Sequence, residues 1–224
     1  FRHCGLSGGV RIELKKQIPA EAGLGGGSAD AAAVLRGLRA LFSLPLGDEA
    51  LRELALPLGA DVPFCVGGGT MLAEGIGEAL SPLSPMPPCH LVVVKPPCGS
   101  STKAVYAALS LQALRPWEQP DARLLENALR GQNVTLLGAS LQNALEKPAT
   151  ELYPVLLDYR QFLTESGAAG AAMSGSGSAF FAVFPEAERD RAEQCIATGK
   201  EQFPAATFFL CRPVSAEEVS ASTI

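Results

Sequence analysis

No Cys-x-x-Cys pair occurs in this 224-residue chain, and its two histidines, His3 and His90, lie far apart in sequence. A zinc site is therefore not expected. The six cysteines, at positions 4, 65, 89, 98, 195 and 211, follow no disulfide-framework spacing. With no signal-peptide pattern before them, they are expected as reduced thiols, mostly small core residues, in a cytoplasmic protein. No basic run is present, and a formal charge of −5 with a pI near 5.2 argues against nucleic acid as a partner. No apolar stretch reaches the length that spans a bilayer, so no membrane partner is expected either. There is no internal repeat and no low-complexity tract. What remains is a soluble chain, 47% hydrophobic, able to bury the core of one large or two small domains. An initiating Met is also missing. The chain opens at Phe1 and runs at once into Gly5-Leu6-Ser7-Gly8-Gly9, which reads as a fragment.

The richest segment is Ile18-Pro19-Ala20-Glu21-Ala22-Gly23-Leu24-Gly25-Gly26-Gly27-Ser28-Ala29-Asp30, which leads into the alanines 31–33. Glycine lets backbone N–H groups turn toward a ligand, and the positive end of the following helix attracts negative charge. Phosphate is the expected guest. A P-loop would need Lys-Ser or Lys-Thr closing the glycines, and none is present; Ser28 and Asp30 also break the dinucleotide pattern. The competing reading is an ordinary turn capped by Ser28.

Alternation of Val10, Ile12 and Leu14 with Arg11, Glu13 and Lys15 predicts a half-buried strand before the glycines. Helical spacing after them predicts a helix over residues 29–42, then a second over 48–56 with Asp48 and Glu49 in its first turn. A strand, turn and strand come next, over 70–80. The proline-rich stretch 82–88 predicts a connector, dividing the chain into domains 1–85 and 86–224. Beyond it, 91–94 reads as a buried strand and 102–109 as a helix. Further helices are expected over 122–129, 152–164 and 186–197, with strands over 179–184 and 207–210. The alternation predicts an α+β layer.

Three segments agree with one family: Pro19 to Ala33, Gly59-Ala60-Asp61-Val62-Pro63-Phe64 with Gly75-Ile76-Gly77-Glu78, and Met173 to Phe184. Together they resemble the galactokinase, homoserine kinase, mevalonate kinase and phosphomevalonate kinase (GHMP kinase) superfamily, across essentially the whole chain. Within it they look most like the branch that acts on a cytidine diphosphate-linked methylerythritol. The resemblance implies a two-domain α+β fold. Its N-terminal domain is of the ribosomal-protein-S5-domain-2-like type, incomplete here, and its C-terminal domain is a ferredoxin-like α/β sandwich. The family's opening block, with a Lys-x-Asn strand, a catalytic lysine, an aromatic and a histidine, has no counterpart in this sequence, and neither His3 nor Lys15 takes its place.

The activity implied is transfer of the ATP γ-phosphoryl group, with Mg²⁺, to the 2-hydroxyl of 4-diphosphocytidyl-2-C-methyl-D-erythritol. Such transfer depends on alignment and charge neutralisation. By resemblance, Gly23, Leu24, Gly25, Gly26, Gly27 and Ser28 wrap the nucleotide phosphates, Ser28 is a candidate Mg²⁺ ligand, and Lys16 meets the nucleotide. Asp61 is the expected catalytic residue. An ordinary aspartate, with a pKa of about 3.9, is a poor base for an alcohol, so position and the apolar neighbours Val62, Pro63 and Phe64 must give it force. Thr102 and Tyr106, four apart on one helix face, are expected to meet the acceptor, with Tyr106 stacking on cytosine; the competing reading of Tyr106 is a half-buried core ring. Gly175, Ser176 and Gly177 are expected to approach the phosphates. Asn143 and Glu146 have no role that the sequence reveals. The alternatives are another small-alcohol kinase of the superfamily, such as a homoserine or mevalonate kinase, or an inactive nucleotide-binding fragment.

Overall fold

The computed structural model describes residues 3–110 and 120–221. The chain forms two compact units. The first takes the chain up to Ile18, Gly25–Ser81 and the chain from Ser215 on; the second takes Pro19–Leu24 and Pro82–Val214. The main crossing, after Ser81, falls at the head of the proline-rich stretch. Nothing in the sequence pattern marks the excursion of Pro19–Leu24 into the second unit. It is tied there by Ser100 N–H donating to Glu21 O (3.3 Å) and Ala179 N–H donating to Ala22 O (3.0 Å).

In the first unit, helices α1 (Gly26–Leu41), α2 (Asp48–Ala55) and α3 (Val62–Gly67) pack around Ala32, Leu51, Ala55, Val62 and Val66. Alanine-rich α1 combines high helix propensity with side chains small enough for α3 to lie close. The Arg39 guanidinium donates to the Asp48 carboxylate (2.5 Å) and holds its pKa below the ordinary value. A 3-10 turn at Leu56–Leu58 leads to α3, whose Pro63 sits in the first turn, where a missing N–H costs nothing. Strands β1 (Met71–Glu74) and β2 (Ala79–Pro82) pair as a hairpin. The strand expected over Val10–Leu14 does not form: no strand pairs with it among the described residues, and Val10, Ile12 and Leu14 stand exposed. Alternation encodes a face, but a ladder needs a neighbour.

In the second unit, the apolar run Leu91–Val94 lies within the central strand β3 (Cys89–Lys95). The connection after it carries α4 (Thr102–Ala108), α5 (Ala122–Arg130), α6 (Val134–Ala139), α7 (Glu146–Leu152) and α8 (Leu156–Glu165). Strands β4 (Gly170–Met173) and β5 (Phe180–Pro185), helix α9 (Arg189–Gln202) and strand β6 (Thr207–Cys211) complete it, with α10 (Ala216–Ala221) returning to α3 in the first unit. The sheet order is β4-β5-β3-β6, and every pair is antiparallel. This is the expected ferredoxin-like arrangement. Helices α8 and α9 cover the sheet, burying Val92, Val94, Leu156, Leu163, Phe180 and Phe184. The helix expected over 152–164 starts later, at Leu156, beyond Pro154, while Leu152 ends α7. The helix expected over 186–197 opens instead as a 3-10 turn, Glu186–Glu188, and α9 runs on to Gln202.

Candidate active site

The glycine run is helical sooner than its spacing suggests. The predicted start at Ala29 is corrected to Gly26, so Gly26, Gly27 and Ser28 form the first turn of α1 and Gly25, not Ser28, is the cap. Gly25 adopts φ 63°, a left-handed conformation that strains other residues, and no side chain caps the helix. The first intrahelical bond is Ala29 N–H to Gly25 O (2.9 Å), which leaves three consecutive N–H groups, of Gly26, Gly27 and Ser28, with no acceptor among the described residues. The Ser28 hydroxyl likewise has no described partner. Beside this start, the Lys16 ammonium pairs with the Asp30 carboxylate and comes close to Gly26. The helix dipole and the unpaired donors together favour a bound anion.

Asp61 occupies the cap position of α3, a helix packed on α1 in the same unit. A capping aspartate would accept N–H bonds from that helix. Here the carboxylate makes no such bond, has no hydrogen-bond or ion-pair partner among the described residues, and is exposed while Val62 and Pro63 are buried. One turn on, burial raises the pKa of the Cys65 thiol, and the Asp61 charge raises it further. Arg36 opposes this more weakly, its Nη1 donating to Cys65 O (2.6 Å) and so capping the end of α3.

In the second unit the residues 174–178 form a turn pinned on several sides. Ser174 Oγ donates to Gly23 O (2.8 Å), Ser100 Oγ to Ser176 O (2.7 Å) and Ser178 Oγ to Cys98 O (2.6 Å); the Thr102 and Ser176 hydroxyls meet at 2.8 Å. Gly23 and Leu24 thus belong with this turn, whereas Gly25 to Ser28 belong with α1. The N–H groups of Gly175 and Ser176, two in succession, donate to no described acceptor. Thr102 and Tyr106 both lie on α4, as expected, and Tyr106 is 58% exposed, which removes the core-ring reading.

Sequence reasoning gave no role to Lys95 or Ser100, which are buried near this turn. Five polar side chains are buried among the described residues, and four of them, Lys95, Ser100, Ser176 and Ser178, gather here. Lys95, a residue only 8% exposed, donates from its ammonium to Pro96 O and Cys98 O (both 2.8 Å) and so orders the loop that carries Ser100 into α4. Such concentrated burial of polar groups is tolerated only when each is satisfied. By contrast, a cleft of about 760 Å³ between α8 and α9 is lined in part by Phe162 and Phe203 and contains none of these residues. Its one cation, Arg191, is already paired with Glu188 (2.7 Å). No group of three metal-ligating acidic, His or Cys side chains and no helix long and apolar enough to cross a membrane occurs among the described residues.

The family model for the GHMP kinases N terminal domain matches residues 1–69, and that for the GHMP kinases C terminal region matches residues 121–204. A 4-diphosphocytidyl-2-C-methyl-D-erythritol kinase of Exiguobacterium sibiricum is 46% identical over 178 residues, covering 80% of this chain and 61% of that protein. The chain therefore spans about three fifths of the length of that curated relative. A crystal structure of 4-(cytidine 5'-diphospho)-2C-methyl-D-erythritol kinase superposes with a TM-score of 0.76 at 37% identity, covering 96% of this chain and 75% of the other. A homoserine kinase from Cytophaga hutchinsonii gives a TM-score of 0.75 at 21% identity, covering 89% and 68%, a likeness of fold alone.

Proposed function

The chain belongs to the GHMP kinase family, and from that premise we propose that it transfers the γ-phosphoryl group of ATP to the 2-hydroxyl of 4-diphosphocytidyl-2-C-methyl-D-erythritol. The observation that carries the reading is the start of α1, where three consecutive N–H groups await an anion. In this reading those donors and Lys16 hold the nucleotide phosphates. Asp61 orients the acceptor hydroxyl and takes its proton as the phosphoryl group arrives, which its unengaged carboxylate permits. Within the second unit, taken by itself, the unpaired N–H groups of Gly175 and Ser176 are two donors of the kind that phosphate oxygens accept.

The thin set of acidic ligands fits a Mg²⁺ carried mainly by nucleotide phosphates and water, with the Ser28 hydroxyl as a protein ligand, and does not fit an all-protein cage. When bound, that ion neutralises charge on the phosphoryl oxygens.

The acceptor is chosen by similarity to the cytidylyl-substrate kinases and by Tyr106, an exposed ring one helical turn from Thr102. Tyr106→Ala is expected to raise KM for the cytidylyl acceptor roughly 5- to 150-fold, the equivalent of about 1–3 kcal/mol of stacking, with KM for ATP unchanged; an unchanged acceptor KM would remove Tyr106 from the site. The reading as a whole is tested by following ADP release with the cytidylyl substrate, homoserine and mevalonate in turn. Turnover with the first alone is expected, and turnover with homoserine in its place would overturn the acceptor assignment.

A further inference from the structure

Strand β4 is an edge of its sheet, so the outward N–H and C=O groups of Met173 need no protein partner and could be left to water. They are instead gripped by side chains from the loop leading into α7 and from its first residue. Glu146 Oε2 accepts from Met173 N–H (3.0 Å), and the Asn143 amide donates one hydrogen to Met173 O and the other to Gly175 O (both 2.8 Å). Neither side chain is loose. Asn143 Oδ1 accepts from Leu145 N–H (2.9 Å), which fixes the amide orientation, and Glu146 Oε1 accepts from Arg160 Nε (2.7 Å).

The clamped carbonyls flank Ser174, and directly beyond it come the two unpaired N–H groups of Gly175 and Ser176. Hydrogen bonds on both sides of Ser174 leave these donors little angular freedom. We infer that Asn143 and Glu146 are positioning residues that hold the 174–178 turn in the geometry needed for phosphoryl transfer, an inference that rests on the function proposed above. They act through the turn and touch no reacting atom. A preorganised pair of donors loses most of its value when displaced by a fraction of an ångström, because stabilisation of developing charge depends on aim.

The test compares Asn143→Asp, Glu146→Ala and Glu146→Gln with the unaltered protein by steady-state kinetics and by hydrogen–deuterium exchange of the peptide spanning residues 173–179. Asn143→Asp keeps the shape of the side chain but replaces two donors with an oxygen facing two carbonyls. It is expected to speed exchange of that peptide and to lower kcat roughly ten- to hundredfold, while KM for ATP stays within about twofold. Glu146→Ala should behave alike. Glu146→Gln, which retains an oxygen for Met173 N–H, should recover most of the activity. Unchanged exchange in both Asn143→Asp and Glu146→Ala would overturn the clamp. Faster exchange with unchanged kcat would overturn its role in transfer, as would failure of Glu146→Gln to exceed Glu146→Ala. If the unaltered protein turns over no acceptor, the functional reading fails by itself, and the exchange measurements still decide whether the clamp exists.

Discussion

Asp61→Asn is expected to lower kcat by roughly 10²–10⁴-fold, the range lost when a positioned proton acceptor is removed, while ATP binding measured by isothermal titration stays near that of the unaltered protein. The substitution is nearly isosteric, and the carboxylate has no described hydrogen-bond or ion-pair partner to lose. Stability should therefore change by no more than about 0.5 kcal/mol, as for surface positions free of special contacts. A fall confined to kcat, with binding and melting preserved, is the pattern of an interaction made only in the transition state. A second readout needs no substrate. Burial is the main cause of the raised Cys65 pKa, but the Asp61 charge adds to it. Neutralising residue 61 should bring the Cys65 pKa down partway, so that alkylation of this thiol near pH 8 becomes faster. Unaltered turnover together with faster alkylation would show that the charge was removed as intended and that Asp61 has no part in the chemistry.

Legibility in the sequence divides along physical lines. The glycine run is legible because its message is local: left-handed Gly25 and the unpaired first turn of α1 depend on the missing β-carbons and on the alanine-rich residues just after them. The apolar run Leu91–Val94 is legible for a similar reason, since four consecutive aliphatic residues near a proline-rich connector suit a central strand. Even so, the helix begins earlier than its spacing predicts, at Gly26 rather than Ala29, because glycine's poor helix propensity is outweighed once α1 packs on α3. The strand expected at Val10–Leu14 fails because its alternation describes only half of a pairing. Asn143, Glu146 and Lys95 are opaque for a deeper reason. Asn143 grips carbonyls about thirty residues away, Glu146 acts on Met173, and Lys95 is an ammonium on a strand whose burial depends on the loop closing over it. No spacing rule within one sequence encodes those contacts.

The largest structural effect is expected from Gly23→Ala. A Cβ built on Gly23 would overlap the Ser174 carbonyl oxygen and stand 3.0 Å from the Gly177 nitrogen. Both are backbone atoms, so no rotamer change relieves the clash, and the φ of 70° adds strain for any residue with a side chain. The segment must move, and with it go the Ser174 Oγ bond to Gly23 O and the Ala179 N–H bond to Ala22 O. Together these effects should cost about 3 kcal/mol or more, a fall in Tm of roughly 6–12 °C for a chain of this size, and turnover should drop as the turn is displaced. Gly27→Ala is the internal control. Its Cβ meets nothing within 4 Å, and it lies in the first turn of a helix at an ordinary φ. Alanine there should hold or raise Tm, since it is the better helix former by up to about 1 kcal/mol. The two glycines are four positions apart in one motif, yet one is required for a close backbone approach within the second unit and the other only for the openness of the α1 start. Melting of Gly23→Ala at the same temperature as the unaltered protein would mean that the chain at residue 23 does not lie against the 174–178 turn, and the contribution of Gly23 to the site would fall with it.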